Sequence, residues 1–379
     1  MKILYFVNSL NNRGGVAHIV TDKMNNLVQM YGCDVTCCVI DGCTTSAYPL
    51  SEKIKVLSLV NEKSIKKDSL LGKLKGLVIV PLILWKMLKN ERYDVIVNAQ
   101  TQIVTWVLPF IRRNVPKVME IHFSHYGMEC NIRNRTRLFQ WLYWKIAVFV
   151  FSMYSRFVVL TDEDKNYWNL CNISVIGNFT NFRETHPSKE KKNRIILTAR
   201  YRSQKRIDLL IDAWSKIAVR YPDWKVVVYG YGSEKNRLQT KVDSLSLQDS
   251  FILNDVVDDV EEKYAESSIF AMTSEYEGFA LVLLEAMRAS LPICAFDVVG
   301  VKGIVDHEKT GLVCHYPDVD AFANNLSRLI ENAELRERLG ENGQEKLNKE
   351  YSKQVTMDKW WSLFCDLAKS NINKFKNKE

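Results

Sequence analysis

The sequence lacks the segments that mark secreted and membrane-spanning chains. The apolar run at residues 1–7 is interrupted by Asn8-Ser9, which predicts a first β-strand and not a secretory signal. The most membrane-like run, residues 138–154, is barely long enough to span a bilayer and carries Lys145 in its middle. We therefore expect a buried or interfacial helix there.

The cysteines lack a regular pattern. There are nine, an odd number without even spacing, which favours reduced thiols in a cytosolic protein over a disulfide framework. Four of them lie close enough in sequence to suggest a metal site: Cys33, Cys37, Cys38 and Cys43. However, Cys37 and Cys38 fall in a strand-like segment, where neighbouring side chains face opposite ways. A metal site is the less favoured alternative.

Length and charge describe a two-part globular protein. With 379 residues, 47% hydrophobic and 25% charged, the chain is long enough for two domains. Residues 1–180 hold 22 Lys and Arg against 13 Asp and Glu, a balance of +9, whereas the remainder holds 30 against 31. The excess positive charge therefore belongs to the first half.

A basic and apolar segment at residues 70–89 contributes to that charge. Lys73, Lys75, Lys86 and Lys89 surround an apolar run, a pattern typical of a helix at an anionic membrane surface. An ordinary core helix with solvated lysines fits the pattern equally well. The charge of the first half tips the interpretation toward the membrane.

Both halves alternate short apolar strands with helical segments. Strands are predicted at residues 2–7, 34–40, 94–98, 118–122, 156–160, 194–199, 225–229, 251–253, 269–272, 291–296 and 310–314. Parallel strands with helical crossovers predict doubly wound α/β sheets, which bind ligands at the carboxyl ends of their strands. A polar linker at residues 186–193 separates a predicted domain at 1–180 from one at 181–354.

The most informative stretch is residues 268–287. A short apolar run predicts a buried strand, an acidic turn with Glu277 and Gly278 follows, and helical spacing of apolar residues surrounds Glu285. Gly278 would let the backbone approach a ligand, and the helix amino end would offer N–H groups to a phosphate. Glutamates at this spacing are also common on solvated helix faces.

Residues 277–287 read Glu-Gly-Phe-Ala-Leu-Val-Leu-Leu-Glu-Ala-Met, which resembles the donor-sugar motif of the retaining glycosyltransferases of family 4. Specific motifs extend the resemblance over about residues 190–350, and the first 180 residues fit in outline. The resemblance implies the GT-B architecture, two Rossmann-like domains facing across a cleft. It also implies that a last helix, about residues 355–379, crosses back onto the first domain.

The resemblance implies transfer of a hexosyl or N-acetylhexosaminyl group from a nucleotide sugar, with UDP expected. The acceptor would be a lipid-linked oligosaccharide or a glycan in bacterial surface polysaccharide synthesis, such as capsule or lipopolysaccharide. The stereochemical outcome would be retention. The departing phosphate would take the acceptor's proton, so no protein nucleophile is expected.

Four residues are implied in catalysis. Arg200 and Lys205 would bind the leaving diphosphate, Glu277 would hold the donor sugar, and His122 would lie near its 6-position. Glu285 would accept hydrogen bonds from the ribose hydroxyls. The implied substrate-binding residues are Gly14, Gly15, Gly230, Gly232, Gly278, Phe279, Ala280, Leu281, Val282 and Glu285.

Each of these assignments has a plainer alternative. The alternative for Gly14-Gly15 is that the two glycines do no more than allow a tight turn, because the full Gly-x-Gly-x-x-Gly fingerprint is absent. His122 could be a core histidine, and His125 is less well placed than His122. Loop cations such as Arg200 and Lys205 are often merely solvated.

No metal or other cofactor is expected. Fixed cations and a helix amino end can supply the positive potential that a leaving diphosphate needs. The triplet Asp162-Glu163-Asp164 is better explained as part of a helix cap after Thr161.

The chain departs from the family pattern at a few positions. Ser290 and Asn254 stand where glycine is usual, Gly303 replaces an acidic residue, and Asn178 lacks its flanking prolines. These departures bear on substrate detail more than on activity.

Two other functions remain open, a nucleotide-sugar epimerase of the same architecture and a non-catalytic nucleotide-binding module. The epimerase would need neither an acceptor site nor a membrane-facing helix. The module is disfavoured because both glutamates and both cations are present together. The expected partners are the nucleotide sugar, the acceptor and the inner-leaflet membrane surface, with no nucleic acid. The expected location is cytoplasmic, peripheral to the cytoplasmic membrane.

Overall fold

The computed structural model describes residues 1–12, 14–59, 70–181 and 191–376, without the side chains of residues 70–78, 90 and 371–376. Most of the predicted linker and the side chains of Lys73 and Lys75 lie outside this description. The chain divides into two compact units. The first unit is Met1–Asn178 with Gln354–Glu379, and the second unit is Phe179–Lys353.

The first unit contains a seven-stranded parallel sheet in the order β3-β2-β1-β4-β5-β6-β7. Its central strands are almost wholly buried and rich in Val and Ile, as expected for a parallel sheet covered on both faces. The strands are β1 Lys2–Val7, β2 Asp34–Val39, β3 Lys55–Ser58, β4 Val95–Asn98, β5 Lys117–Glu120, β6 Arg156–Val159 and β7 Ile173–Val175.

Helices connect these strands. They are α1 Gly15–Tyr31, α2 Leu70–Asn90, α3 Ile103–Val107, α4 His125–Ile132, α5 Arg137–Ser152 and α6 Asp162–Lys165. The side chain of Thr161 caps α6 by accepting a hydrogen bond from the Asp164 N–H at 3.1 Å. The capping prediction at Thr161 is confirmed, although the helix it begins is a single turn.

The second unit contains a six-stranded parallel sheet in the order β10-β9-β8-β11-β12-β13. Its strands are β8 Arg194–Thr198, β9 Lys225–Tyr229, β10 Phe251–Asn254, β11 Ile269–Met272, β12 Ile293–Phe296 and β13 Gly311–Cys314. Its helices are α7 Ile207–Ser215, α8 Lys235–Ser244, α9 Val260–Ala265, α10 Leu281–Arg288, α11 Val319–Glu331 and α12 Ala333–Glu350. The predicted doubly wound α/β fold class is confirmed for both sheets.

The last helix, α13 Lys353–Lys376, packs within the first unit from Gln354 onward. The Tyr31 hydroxyl donates a 2.7 Å hydrogen bond to Asp358, and the Tyr31 ring stacks on Trp361 at a centroid distance of 4.8 Å. Trp360 lies wholly inside, with its ring centroid 4.0 Å from the Lys23 ammonium. Helix α13 therefore completes the hydrophobic core beside α1.

Several boundaries differ from the sequence prediction. Strand β5 ends at Glu120, so His122 follows the strand and does not end it. Helix α10 ends at Arg288, because Ser290 adopts a left-handed backbone with φ of 52°. That conformation also explains why glycine suits position 290. The edge strands β3 and β7 were not predicted, because edge strands need no continuous buried run.

Helix α5 presents an aromatic face to solvent. Its most exposed apolar side chains are Leu138, Phe139, Trp141, Leu142, Ile146 and Phe149. Cations lie over two of these rings, Lys145 over Trp141 and Arg135 over Phe139. Within the described ranges, none of the helices combines the length and the apolar character that crossing a bilayer requires.

Candidate active site

Three neighbouring strands of the second unit carry the predicted donor site. In the sheet order, β8 lies between β9 and β11, and all three run parallel. Their carboxyl ends therefore meet at one edge of the sheet, where α/β folds bind ligands. The loop after β8 carries Arg200 and Lys205, the loop after β9 carries Gly230 and Gly232, and the loop after β11 carries Glu277.

Lys205 and Glu277 form an ion pair. The Lys205 ammonium donates to Oε1 of Glu277 at 2.6 Å, and their side chains are 21% and 10% exposed. Two residues that the sequence placed in separate motifs are thus in direct contact. The pair places one cation and one carboxylate side by side at the sheet edge.

Three further hydrogen bonds join the same two loops. The Gln204 side chain donates to the Tyr276 carbonyl at 2.7 Å, and the Glu275 N–H donates to the Gln204 carbonyl at 2.9 Å. The Thr273 hydroxyl donates to the Lys205 carbonyl at 3.3 Å. Together these three hydrogen bonds hold the two loops against each other, so the Lys205–Glu277 pair is positioned more firmly than an isolated surface ion pair would be.

Gly230 and Gly232 let the loop after β9 lie against the loop after β8. A Cβ at Gly230 would come within 1.8 Å of the Ala199 carbonyl oxygen, and one at Gly232 within 2.3 Å of the Tyr201 carbonyl oxygen. Gly232 also has a φ of 151°. The close approach brings Tyr231 to Arg200, whose guanidinium carbon lies 5.9 Å from the ring centroid. Contact of these glycines with a nucleotide stays a prediction.

Gly300 supports Glu277 from the loop after β12, a role that the sequence analysis missed. Its φ is 85°, and a Cβ there would lie 2.5 Å from the Glu277 carbonyl oxygen and 2.7 Å from the Glu277 Cβ. The Glu277 N–H also donates to the Val299 carbonyl at 2.9 Å. The sequence signal that could have revealed this role was a glycine shortly after β12, whose carboxyl end lies at the same edge of the sheet.

Glu285 lies within α10 and has its own partners. The Tyr264 hydroxyl donates to Oε2 of Glu285 at 3.0 Å and lies 2.6 Å from the Thr198 hydroxyl. Burial raises the pKa of Glu285 to about 7, with Glu261 adding to the rise and the Tyr264 hydrogen bond opposing it. Tyr264 and Thr198 carried no motif that the sequence analysis could have used.

The segment between the two glutamates begins α10. Phe279 and Ala280 are buried, and Leu281 and Val282 form the first turn of the helix. The Phe279 ring packs edge-on against Tyr351 at a centroid distance of 5.8 Å, which indicates a packing role for its side chain. Donor contact through the backbone of residues 278–282, Gly278 included, stays a prediction.

The first unit holds the remaining predicted residues. Gly14 occupies the N-cap of α1, and Gly15 is its first residue. His122 follows β5, with its Nε2 3.1 Å from Oε1 of Glu120. His125 instead begins α4 and stacks on Trp144 at 4.4 Å, which explains its place as a core aromatic.

A second acidic triplet and two buried cysteines bear on whether this chain could hold a metal ion. Asp318-Val319-Asp320, an Asp-x-Asp triplet that the sequence analysis did not weigh, begins α11, where Asp318 accepts a hydrogen bond from the Ala321 N–H at 2.9 Å. Burial raises the pKa of the Cys37 thiol and that of Cys38, the latter to about 12. In the part of the chain that the structure describes, no three His, Cys, Asp or Glu residues are grouped to hold a metal ion.

Residues 178–346 match the family model for glycosyl transferases group 1. An uncharacterized glycosyltransferase of Haemophilus influenzae is 27% identical over 95% of this chain and 98% of its own length. The amylovoran biosynthesis glycosyltransferase AmsD of Erwinia amylovora is 26% identical over 95% of this chain and 98% of its own. The UDP-Gal:alpha-D-GlcNAc-diphosphoundecaprenol alpha-1,3-galactosyltransferase of Escherichia coli is 26% identical over 75% of this chain and 78% of its own length.

Solved structures agree on the fold. Sucrose-phosphate synthase from Thermosynechococcus elongatus superposes with a TM-score of 0.80 at 18% identity, over 97% of this chain and 99% of that one. Anabaena HepE in complex with UDP gives a TM-score of 0.75 at 16% identity, over 97% and 100%. The two parallel-sheet α/β units are therefore those of the GT-B glycosyltransferase fold.

Proposed function

We propose that the chain is a retaining hexosyl- or N-acetylhexosaminyltransferase of family 4, a proposal supported by the match of residues 178–346 to the family model for glycosyl transferases group 1. Its donor is a nucleotide sugar, UDP-linked, and its acceptor is a lipid-linked oligosaccharide or a glycan. The product belongs to a bacterial surface polysaccharide such as capsule or lipopolysaccharide.

The comparisons support donor and acceptor class. One relative is named for amylovoran biosynthesis, and another for transfer from UDP-galactose to a diphosphoundecaprenol-linked sugar. A structural neighbour was crystallised with UDP. These names describe those proteins, and together they make a UDP-sugar and a lipid-linked acceptor the first substrates to test.

The Lys205–Glu277 ion pair is the observation that carries the proposal. Bound donor brings two negative phosphates, which attract the Lys205 ammonium, while Glu277 gains sugar hydroxyls as donors in its place. Arg200, on the same loop, supplies the second cation. Charge that develops on the leaving diphosphate is thus met by groups that the loop hydrogen bonds already hold in place.

The proposed reaction breaks the bond between the sugar's anomeric carbon and the diphosphate oxygen. The acceptor oxygen bonds to that carbon on the same face, and the leaving phosphate oxygen takes the acceptor's proton. Glu285 accepts hydrogen bonds from the ribose hydroxyls. We assign His122 to the donor sugar, and Gly14 and Gly15 to the diphosphate and acceptor, from the resemblance alone.

Metal independence is part of the proposal. Arg200, Lys205 and the amino end of α10 provide the positive potential that Mg²⁺ or Mn²⁺ supplies elsewhere. Turnover is expected to persist in excess chelator. Loss of turnover that Mg²⁺ or Mn²⁺ restores would contradict this part.

Membrane attachment through the first unit follows from the proposed acceptor. A lipid-linked substrate requires work at the bilayer surface, and the exposed aromatic face of α5 with its flanking cations suits an interfacial position. The cations of α2, including Lys86 and Lys89, add attraction to anionic lipid. We propose a cytoplasmic enzyme bound peripherally to the inner leaflet.

The deciding experiment incubates the full chain with a panel of UDP-sugars, with and without diphosphoundecaprenol-linked sugars, and measures UDP release and lipid-linked product. Acceptor-dependent UDP release with an unchanged anomeric configuration supports the proposal. Conversion of the donor to another UDP-sugar without acceptor would identify an epimerase. UDP binding without any turnover of the panel would favour the binding module.

A further inference from the structure

Tyr264 of α9 is a wholly buried side chain whose hydroxyl reaches the carboxylate proposed to bind the ribose. Its ring stacks on Phe270 of β11 at a centroid distance of 5.8 Å, so packing sets the direction of the hydroxyl. That hydroxyl lies 3.0 Å from Oε2 of Glu285 and 2.6 Å from the hydroxyl of Thr198, the last residue of β8. Side chains from α9, α10 and β8 therefore meet at one phenolic oxygen.

The hydrogen bonds at this oxygen run in one direction when Glu285 is ionised. A phenol has a single proton and a carboxylate can only accept, so Tyr264 donates to Glu285. The Thr198 hydroxyl then donates to the Tyr264 oxygen. Hydrogen bonds in such a chain polarise one another, which strengthens the bond that reaches the carboxylate. The chain therefore holds the ionised form of Glu285 in one orientation.

The hydroxyl of Tyr264 is not needed to fill the core. The ring supplies the apolar surface that packs on Phe270, and phenylalanine would supply the same surface. A buried hydroxyl is costly unless it is hydrogen bonded, and this one bonds to Glu285 and Thr198 at the edge of the sheet where the predicted donor site lies. A tyrosine at this position is therefore better explained by its action on Glu285 than by packing.

The charged and titratable groups around Glu285 come from the elements packed against it. Glu261 of α9 raises the pKa of Glu285 in addition to the effect of burial. Arg288 of α10 donates a 3.2 Å hydrogen bond to the side chain of an asparagine on α12. Burial raises the pKa of the Cys294 thiol of β12 well above its ordinary value, so that thiol is neutral. The Tyr264 hydrogen bond is the contact that opposes the rise in the pKa of Glu285.

We propose that Tyr264 is a positioning residue for Glu285, which it holds, together with Thr198, in the orientation that accepts hydrogen bonds from the ribose of a nucleotide. The Tyr264 bond uses one lone pair of Oε2, which leaves Oε1 and the remaining lone pair for two vicinal hydroxyls. The contact between Glu285 and the ribose rests on the proposed function, whereas the action of Tyr264 on Glu285 does not.

The test compares the affinities of the full chain for UDP and for 2′-deoxy-UDP, measured by isothermal titration calorimetry. The parent is expected to prefer UDP about tenfold, the effect of one hydrogen bond between a hydroxyl and a carboxylate. Tyr264→Phe keeps the ring and removes the hydroxyl, so the preference is expected to fall about threefold or more. In Thr198→Val the preference should lie between those of the parent and Tyr264→Phe, because the last bond of the chain remains.

The pH of the measurement separates orientation from charge. Tyr264→Phe loses the hydrogen bond that lowers the pKa of Glu285, so the carboxyl should titrate at a higher pH than in the parent. At about pH 9 the carboxyl is expected to be ionised in both proteins. The lower preference for UDP should persist there. Full recovery of the preference at that pH would overturn the positioning role, since Tyr264 would then act only on the charge of Glu285.

Tyr221→Phe is the matched control within the same unit. The Tyr221 hydroxyl also donates to a glutamate, Glu331 at the end of α11. Tyr221 precedes β9, so it lies at the amino edge of the parallel sheet, opposite the strand ends that carry the predicted site. This variant should keep the parent's preference for UDP. An equal fall in Tyr221→Phe and Tyr264→Phe would overturn the proposal.

Glu285→Gln separates failure of this proposal from failure of the proposed function. If Glu285→Gln loses the preference for UDP and a folded Tyr264→Phe keeps it, the positioning role is wrong. If both variants keep it, the contact between Glu285 and the ribose is wrong.

A titration without ligand measures the action of Tyr264 directly. The chain is labelled with ¹³C at the side-chain carboxyls of glutamate, and the Glu285 signal is assigned by Glu285→Gln. The midpoint of that signal is expected to rise by about one pH unit in Tyr264→Phe and to stay unchanged in Tyr221→Phe. An unchanged midpoint in Tyr264→Phe would overturn the proposal whatever the nucleotide preference.

Discussion

Tyr264 links Glu285 to the end of strand β8, because its hydroxyl lies 3.0 Å from the Glu285 carboxylate and 2.6 Å from the Thr198 hydroxyl. Burial raises the pKa of Glu285 to about 7, so the carboxyl titrates near neutrality. Ribose hydroxyls donate hydrogen bonds best to the ionised form. The protonation state of Glu285 should therefore control nucleotide binding.

UDP affinity is expected to fall as the pH drops below about 7, by up to tenfold per pH unit. The reason is that binding must release the proton from Glu285. Isothermal titration calorimetry in buffers of different ionisation enthalpy measures that proton directly. In Glu285→Gln, binding should be weaker and independent of pH over this range. Proton release that persists in Glu285→Gln would assign the effect to another group.

The same carboxyl affects stability with a defined sign. Its pKa lies above the ordinary value of 4.5, so the folded state binds more protons than the unfolded state between that value and about 7. The stabilisation that proton binding by Glu285 gives the folded state is fully present below about pH 4.5 and is lost as the pH rises through about 7. Glu285→Gln should therefore become more stable relative to the parent across this window. Melting temperatures that run parallel would contradict the raised pKa.

Removing either cation of the loop after β8 is expected to lower turnover, but only the loss of Lys205 is expected to lower stability as well. Arg200→Ala and Lys205→Ala should each lower turnover about ten- to a thousandfold, because each removes positive charge from the leaving diphosphate. Lys205→Ala should also lower the melting temperature, since it leaves the buried Glu277 carboxylate without its cation. Initial rates of UDP release and thermal melts measure the two effects.

A double variant separates catalysis from folding at this pair. Lys205→Ala combined with Glu277→Gln removes the uncompensated charge, so stability should recover while turnover stays low. Near-parent turnover in either single cation variant would remove that residue from the site.

Local sequence motifs predicted that three residues of the second unit share one site, and the structure places their loops at one edge of the sheet. Arg200, Lys205 and Glu277 stand in loops directly after buried apolar strands, and parallel topology brings such loops to one edge. Their direct ion pair could not be predicted, because β8 and β11 become neighbours only through the crossover order of the sheet. The tertiary order, and not any local signal, decides that contact.

Other features left no local trace. Lys23 and Glu120 are 97 residues apart and meet only when α1 packs over β5. The need for glycine at position 300 becomes visible only in the structure, from its positive φ and its close approach to Glu277. His122 was placed on a strand, but β5 ends at Glu120, since an apolar run does not reveal the last ladder hydrogen bond.

Gly300→Ala tests whether that contact positions Glu277. A Cβ at Gly300 would come within 2.5 Å of the Glu277 carbonyl oxygen, so the loop after β11 must shift. Turnover is expected to drop by up to about a hundredfold, the loss that a displacement near 1 Å can cause. Steady-state rates of UDP release provide the measurement.

Gly303→Ala is the control, because it shares the positive φ without the contact. Gly303 has a φ of 81° and no atom within 4 Å of its Cβ position, whereas Gly300 has a φ of 85°. Both variants should lose about 1 kcal/mol or more of stability from backbone strain. Only Gly300→Ala should lose turnover. Equal losses of turnover would attribute the effect to strain and not to Glu277.

The exposed face of α5 and the cations around it are expected to bind anionic bilayers. Changing Lys86, Lys89 and Lys145 to Glu should weaken binding to anionic vesicles, because each lysine near the surface contributes about 1 kcal/mol. Trp141→Ser should weaken binding even at high salt, since its side chain is 58% exposed and would insert its apolar ring. Vesicle sedimentation with neutral and anionic lipids measures both effects.

The matched control places the same charge change on the second unit, at the exposed Lys225, Lys309 and Lys349. This variant has the same net charge as the first triple variant but leaves α2 and α5 intact. If attachment uses the first unit, the control should sediment like the parent, and added salt should weaken binding by screening surface charge within about 8 Å. An equal loss of vesicle binding in both triple variants would show that the binding depends on net charge alone. Equal binding of the parent to neutral and anionic vesicles would mean that the cations of α2 and α5 have only a structural role.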